Sequence, residues 1–154
     1  MVVNGQSTSS IVATNTQLTF NLSLPSSLNA VNKLVINIPS GTYLRITNLY
    51  NQDCSYSVGN TSFNSCLYTT DTNGWLTQVN LTNLGSTQIA ALTNITINLY
   101  VTNSWVSSTF SSTPIAFYVC SSTDNYLAQG SILLTTLYSG LTSFSGSLVS
   151  SLSV

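Results

Sequence analysis

Apolar and polar residues alternate along many short stretches of this chain. In residues 18–24 every second side chain is leucine or phenylalanine, and a similar alternation runs through residues 34–38, 95–101 and 115–119. A period of two places the apolar side chains on one face of a β-strand, whereas a helix needs a period near ~3.6. The pattern therefore predicts an all-β protein in which each strand buries one face.

Turn residues separate these stretches and indicate how many strands there are. Pro25, Pro39 and the Gly-Asn pair at residues 59–60 each end a strand pattern, and the Asp-Thr-Asn-Gly run at residues 71–74 is a further turn. The spacing predicts roughly eight or nine short strands, with residues 87–92 forming one helical turn at most. Such strands favour a two-sheet, immunoglobulin-like β-sandwich. A single sheet closed on itself is the alternative architecture.

The same patterns divide the chain into three segments. We expect residues 17–138 to form the sandwich module and residues 1–16 to form an N-terminal strand or linker. Residues 139–154 form a serine-rich C-terminal strand or linker in which apolar residues alternate with serine. The apolar residues that share one face of this segment are Phe144, Leu148, Leu152 and Val154.

The C-terminal segment has two interpretations. It is an extra edge strand or linker of its own domain, or it is a donor strand that completes the sheet of a neighbouring subunit. An amphipathic strand suits the second role, because the open edge of a sheet binds further strands through backbone hydrogen bonds.

Charged residues are almost absent, which argues against whole classes of function. They make up 3% of the chain, against about 25% in a typical soluble domain. Two cations cannot neutralise a nucleic-acid backbone. Catalytic acid–base and nucleophile arrangements usually draw on histidine or glutamate, and the chain has neither. We therefore expect no enzyme activity, no nucleic-acid partner, no metal and no cofactor. The charged residues are Lys33, Arg45, Asp53, Asp71 and Asp124.

The lack of charge also bears on where the protein works. Soluble proteins normally stay dispersed through their surface charge. This chain has to rely on hydroxyl and amide groups, on attached glycans, or on assembly into something larger. All three indicate an extracellular or cell-surface location. No apolar run approaches the ~18 residues that a membrane span needs, so we expect no membrane span.

Asparagine acceptors for N-linked glycans recur along the strand patterns. Each has the form Asn-x-Ser/Thr. Three lie on the polar parity of a predicted strand and one lies at the predicted Gly-Asn hairpin turn, so all four are expected to face outward, as a covalent glycan requires. The four acceptors are Asn21, Asn60, Asn80 and Asn94.

The chain contains three cysteines, and the hairpin prediction pairs two of them. Cys54 and Cys66 are equidistant from Asn60, so a hairpin centred there brings them opposite each other and predicts a disulfide. Cys120 is left over. It follows the strand at residues 115–119 on its polar parity, and two readings stay open: a buried thiol between the sheets, or a link to another chain.

Aromatic residues supply an alternative function. Eight tyrosines and two tryptophans, Trp75 and Trp105, could form a platform that stacks on sugar rings, although such residues more often fill a sandwich core or its rim. A carbohydrate-binding or adhesin domain is therefore the second hypothesis for this chain.

The order of these features resembles that of repeated extracellular modules in very large surface proteins of ciliates and related protists. The resemblance covers roughly residues 17–137, with one departure at Asn103-Ser104, where those modules often have Asn-Pro. It implies a structural, glycosylated, extracellular role with no catalytic residues to transfer. A weaker similarity, in character only, is to archaeal surface threads and bundling pili. The matching motifs are residues 18–24, Ile36-Asn37-Ile38-Pro39, Cys54 with Cys66, residues 75–81, and residues 115–119 running into residues 121–126 and Gln129-Gly130-Ser131.

Taken with the resemblance, the sequence predicts a structural glycoprotein, either a subunit or one repeat of an extracellular fibre or coat. Its partners would be copies of itself or tandem repeats, together with other surface glycoproteins. Assembly would proceed through strand edges, with donor-strand exchange by the C-terminal segment as one route.

Overall fold

The computed structural model of the protein contains only β-strands as regular elements in the part of the chain that it describes. The described residues are 1–7, 15–39, 42, 44–47, 54–63, 66–82, 87–102, 114–121, 123, 125–133 and 143–146. The strands are β1 (Val2–Ser7), β2 (Asn15–Ser23), β3 (Leu28–Asn37), β4 (Arg45–Ile46), β5 (Cys54–Val58), β6 (Thr61–Phe63), β7 (Leu67–Thr70), β8 (Leu76–Leu81), β9 (Thr87–Ile89), β10 (Asn94–Thr102), β11 (Ile115–Ser121), β12 (Tyr126–Ile132) and β13 (Ser143–Gly146).

These strands form two antiparallel sheets. Sheet I has the order β13-β1-β2-β10-β5-β6. Strand β4 pairs with the same edge of β10 as β5 does. Sheet II has the order β12-β11-β3-β8-β7, and β9 pairs with β3. The predicted all-β sandwich is confirmed. The immunoglobulin-like connectivity stays a prediction.

The alternating residues of both sheets meet in one apolar core. Along β2 and β10 every second residue is buried, as the sequence period requires. Phe20 of sheet I and Phe117 of sheet II are both fully buried, and their rings meet edge to face with centroids 5.1 Å apart. This contact ties the centre of one sheet to the centre of the other.

The structure has more strands than the alternation predicted, because several are too short to show a period. Strands β4, β6 and β9 contain two or three residues each. Residues 87–92, for which the sequence allowed one helical turn at most, form no helix: Thr87 and Ile89 pair with β3, and the Ile89 side chain is buried.

Both ends of the described chain belong to sheet I. Strand β1 lies between β2 and β13, and Met1 and Val3 are buried in the core. Gly130 of β12 lies close to this strand: a Cβ there would stand 3.0 Å from the Met1 carbonyl oxygen and 3.0 Å from Val3 Cγ2, so a larger residue would require them to shift. Residues 2–7 are therefore packed as a strand of the sandwich. The predicted division at residues 1–16, 17–138 and 139–154 stays a prediction.

Candidate functional site

The outward face of sheet I is covered by neutral polar side chains that hydrogen-bond to one another across the strands. Thr19 Oγ1 and Gln17 Nε2 both donate to Asn98 Oδ1, over 2.8 and 2.9 Å. Asn98 Nδ2 in turn donates to Ser55 Oγ over 3.2 Å. One amide thus connects three neighbouring strands, β2, β10 and β5, without any charge.

A second set of bonds continues this ladder at the other end of the same strands. Thr102 Oγ1 donates to Asn15 Oδ1 over 2.8 Å, and the hydroxyls of Thr102 and Thr47 lie 2.8 Å apart. Because these groups hydrogen-bond to one another, they form a row of hydroxyls and amides whose orientations are fixed by their neighbours.

Two predicted glycan acceptors lie on this face. The asparagine of each triplet lies opposite the serine or threonine of the other. Asn21 lies opposite Thr96, and Asn94 lies opposite Ser23, so the two Asn-x-Ser/Thr triplets align antiparallel. Thr96 Oγ1 donates to Asn21 Oδ1 over 2.9 Å. The two asparagines are diagonal neighbours, a relation that typically separates residues by roughly 7–8 Å. Glycans on both would share one small patch of surface.

The acceptor Asn60 lies at the same end of the sandwich. It follows Gly59, whose φ of 58° is the left-handed conformation that a tight hairpin turn between β5 and β6 requires. The Gly59 amide donates to the Asn94 carbonyl oxygen over 2.9 Å. Asn60 and Asn94 are both exposed and stand next to each other at this end of sheet I.

The fourth acceptor, Asn80, lines a groove on the outward face of sheet II. The groove has a volume of about 220 Å³. We call it the tyrosine groove, after the rings of Tyr118 and Tyr126, whose centroids lie 4.9 Å apart. Asn80 Nδ2 donates to Gln78 Oε1 over 3.0 Å, and Gln78 Nε2 donates to Asn37 Oδ1 over 2.9 Å. The lining residues are Lys33, Val35, Asn37, Gln78, Asn80, Tyr118, Cys120 and Tyr126.

All four acceptor asparagines therefore lie outside the core, but they differ in exposure. Asn60 and Asn94 are exposed, whereas Asn21 and Asn80 are half-buried. Their modification with glycans stays a prediction.

The predicted disulfide between Cys54 and Cys66 is confirmed, and it joins the two sheets. Cys54 belongs to β5 in sheet I, while Cys66 directly precedes β7 in sheet II; their Cα atoms are 6.1 Å apart. Close by, Tyr56 stacks on Phe63 with centroids 4.8 Å apart, and its hydroxyl donates to the Thr82 carbonyl oxygen. Burial raises the pKa of the Tyr56 hydroxyl. The predicted pair is correct, but the hairpin is centred between Gly59 and Asn60 and not on Asn60, because Val58 pairs with Thr61. Cys66 lies beyond the end of β6, so the bridge is not a cross-strand pair of this hairpin.

The third cysteine, Cys120, is buried but does not lie between the sheets. The register of β11 shifts between Val119 and Cys120, which marks a β-bulge or irregularity. Cys120 lines the tyrosine groove at only 1% exposure, and its Sγ lies 3.8 Å from the Tyr118 carbonyl oxygen. The expected place between the sheets is corrected to the outward face of sheet II. The alternative link to another chain stays a prediction, and such a link would require the groove to open.

The C-terminal segment contributes β13 at the edge of sheet I, next to β1. In this register Phe144 lies opposite Gly5 and Gly146 lies opposite Val3. Within one chain the described part of the segment is thus an edge strand of its own sheet, which is one of the two expected arrangements. Leu148, Leu152 and Val154, the other predicted donor-strand residues, lie outside the described residues.

The predicted turn at residues 71–74 directly precedes Trp75, one of the two tryptophans. Asp71 Oδ1 accepts hydrogen bonds from the amides of Asn73 and Trp75 over 2.8 and 2.9 Å, and Gly74 has a φ of 79°. The Arg45 guanidinium lies 4.2 Å from the Trp75 ring centroid. One face of this indole is therefore occupied by a cation and is closed to sugar stacking. Trp105 lies outside the described residues.

In the described part of the chain, no group of three or more Cys, Asp or Glu side chains is placed to hold a metal ion. No helix among those residues is long and apolar enough to cross a membrane. No protein-family model matches the sequence, no curated protein is significantly similar to it, and no solved structure matches it. The fold and these surfaces define a disulfide-linked β-sandwich whose outward faces are rich in hydroxyl and amide side chains. The resemblance to protist surface modules stays a prediction.

Proposed function

We propose that the protein is a structural glycoprotein, a subunit or repeat of an extracellular fibre or coat that assembles through its strand edges. The observation that carries the proposal is the outward face of sheet I. It is a neutral hydrogen-bonded ladder, and it holds two glycan acceptors paired across β2 and β10. Such a face serves contact and glycan display, because it offers no group that could transfer a proton or activate a nucleophile.

The disulfide supports an extracellular location. Bridges of this kind form and persist in oxidising compartments and are rare in the cytosol. N-linked glycans are added along the same secretory route. That reaction forms a bond between the asparagine Nδ2 and C1 of a lipid-phosphate-linked sugar, breaks the bond from C1 to the phosphate oxygen, and releases one amide proton. With so few charges on the chain, the attached sugars would supply most of its hydration.

The edge strands support assembly. Among the described residues, sheet II ends on one side at β7, whose sequence Leu67–Thr70 contains no charge and no proline. Its Leu67 side chain is 64% exposed and its Tyr68 side chain is 42% exposed. Natural proteins usually protect an edge with lysine, proline or a covering loop, so this edge favours pairing with another chain. The edge of β1 that receives β13 offers the same opportunity to the C-terminal segment of a neighbour.

Two measurements test this proposal. Intact mass before and after enzymatic deglycosylation reports the sugars, and a native mass equal to the bare 16.4 kDa rejects them. Electron microscopy of native material reports assembly, and a field of dispersed monomers rejects the fibre or coat. Deleting residues 139–154 should abolish polymerisation and leave a folded module if that segment is the donor. A truncated chain that still polymerises rejects the donor role while leaving the other edges in place.

A second function, carbohydrate binding or adhesion, is favoured by a separate observation. The tyrosine groove combines two aromatic rings with three amide side chains, the usual chemistry of a sugar site. The tryptophan platform predicted from sequence has less support, because Arg45 covers Trp75. Glycan-array binding by the unglycosylated protein that is lost in Trp75→Ala or Trp105→Ala would restore the tryptophan platform. Binding that survives both substitutions points to the groove.

A further inference from the structure

The tyrosine groove and the acceptor Asn80 occupy one surface, and their relative positions follow from the strand register. On the outward face of sheet II, Asn80 lies opposite Val35, and Val35 lies opposite Tyr118. Neighbouring strands are about 4.8 Å apart, so roughly 10 Å separates the Asn80 backbone from that of Tyr118. Tyr126 lies opposite Cys120, the next outward-facing residue of β11. A substituent on Asn80 that extends across Val35 therefore reaches the Tyr118 ring, whose centroid lies 4.9 Å from that of Tyr126.

We propose that the tyrosine groove is a saccharide-packing site, occupied by one sugar ring near the base of the glycan on Asn80. This inference rests on the proposed function, because it requires that Asn80 be glycosylated. At about 220 Å³ the groove is smaller than the roughly 300–1,000 Å³ of pockets for drug-sized ligands, so it suits a single sugar ring. The C–H groups on one face of a pyranose carry partial positive charge and pack on the negative face of an aromatic ring.

The hydrogen bonds of Asn80 fit this role. Glycosylation replaces one of the two hydrogens on Nδ2 and leaves the other. The remaining hydrogen can keep the bond to Gln78 Oε1, which in the unmodified side chain measures 3.0 Å. Gln78 is itself held through its bond to Asn37. The amide of the glycosylated side chain is thus restrained by Gln78 and Asn37, which also line the groove.

Asn21 shows that this arrangement is specific to Asn80. Asn21 is also half-buried in the middle of a sheet face, but the residues opposite it are Asn4 on one side and Thr96 on the other. Neither has an aromatic ring. A glycan on Asn21 would extend over hydroxyls and amides, whereas a glycan on Asn80 that crosses Val35 would meet the two tyrosine rings among the polar side chains of the groove.

The test measures whether the glycan and the groove stabilise each other. The full chain carries Asn21→Gln, Asn60→Gln and Asn94→Gln, so that Asn80 is the remaining Asn-x-Ser/Thr acceptor. It is produced once in a eukaryotic host that adds N-glycans and once in a bacterial host that does not. Mass spectrometry of the Asn80 peptide reports occupancy, and the thermal midpoints of the two products give the effect of the glycan. The same pair of measurements is made in Tyr126→Ala and in Tyr68→Ala. Tyr68 is a matched control, because it is an exposed tyrosine of sheet II outside the groove.

We expect the glycan to raise the thermal midpoint by about 2–4 °C, a shift of the size that one additional aromatic contact gives in a domain of this length. Tyr68→Ala should keep that gain, and Tyr126→Ala should lose most of it. An equal gain in all three sequences overturns the proposal while the glycoprotein function stands. Absence of a glycan at Asn80, with glycans present on the other acceptors of the unsubstituted chain, also overturns it.

A free sugar is the other source of the same chemistry, and a separate arm examines it. The bacterial product is titrated with N,N′-diacetylchitobiose while the tyrosine ring signals are followed by NMR. The proposal would be overturned if the free sugar binds saturably, Tyr126→Ala abolishes that binding, and Asn80 carries no glycan. The groove would then be a binding site for an external saccharide. A stabilising glycan at Asn80 without measurable binding of the free sugar supports it.

Discussion

Breaking the disulfide between Cys54 and Cys66 should weaken the fold by an amount that follows from the loop it closes. The two cysteines are 12 positions apart. In the chain-entropy model, closing a loop of this length removes enough freedom from the unfolded chain to stabilise the fold by about 3 kcal/mol. A free energy of ~1 kcal/mol shifts the midpoint of a domain this long by roughly 2–4 °C, so reduction should lower it by about 6–12 °C.

The assay compares thermal unfolding of the Cys120→Ala protein with and without a phosphine reductant, followed by circular dichroism. Removing Cys120 prevents disulfide exchange during heating, and the reductant leaves the side chain of Cys54 in the core. Urea unfolding of the same two samples should show a larger slope after reduction, because the unconstrained unfolded chain exposes more surface. A midpoint that moves by less than about 2 °C would refute the reasoning, since the bridge would then add no constraint between the sheets.

Three further outcomes follow from the described contacts. Phe20→Ala should cost about 3–5 kcal/mol of unfolding free energy, because it opens a cavity against Phe117, whereas Thr19→Ala on the outward face should cost far less; urea unfolding separates them. Since burial raises the Tyr56 pKa, the folded state holds that proton more tightly than the unfolded state, so stability should fall as the pH rises above about 10. Tyr56→Phe should remove part of that loss in midpoints measured across alkaline pH. Cys120 should react with a maleimide slowly in the native protein and rapidly in urea, and equal rates would place the thiol at the surface.

The regular part of the fold could be read from the sequence because it depends on a local pattern. Strands β2 and β10 bury every second residue, and β11 does so over most of its length. The parity of a residue in these strands therefore indicates whether its side chain enters the core. The bridge between Cys54 and Cys66 was also predictable, since the tight turn at Gly59 reverses the chain and brings the two cysteines near each other, although the register of the hairpin is not the one expected. Both inferences use interactions between residues that are close along the chain.

The surfaces that matter for function depend on distant pairings, and no local pattern reports them. Asn21 and Thr96 are 75 positions apart and meet only because β2 lies beside β10. The tyrosine groove needs four strands in one register, and its lining residues come from β3, β8, β11 and β12. Strand β7 could not be identified from alternation for another reason. All four of its residues are exposed, so its sequence shows no alternation of apolar and polar side chains.

The neutral ladder on sheet I has a consequence for the conditions that the protein can withstand. Its bonds join amides and hydroxyls such as those of Asn98, Thr19 and Gln17, which neither gain nor lose protons in ordinary acid or base. Dissolved salt screens interactions between charges and has little to act on here. Acid unfolds most proteins by protonating paired carboxylates, and this chain contains three acidic residues in all. A surface built in this way keeps the same contacts in brine, in dilute water and in strong acid.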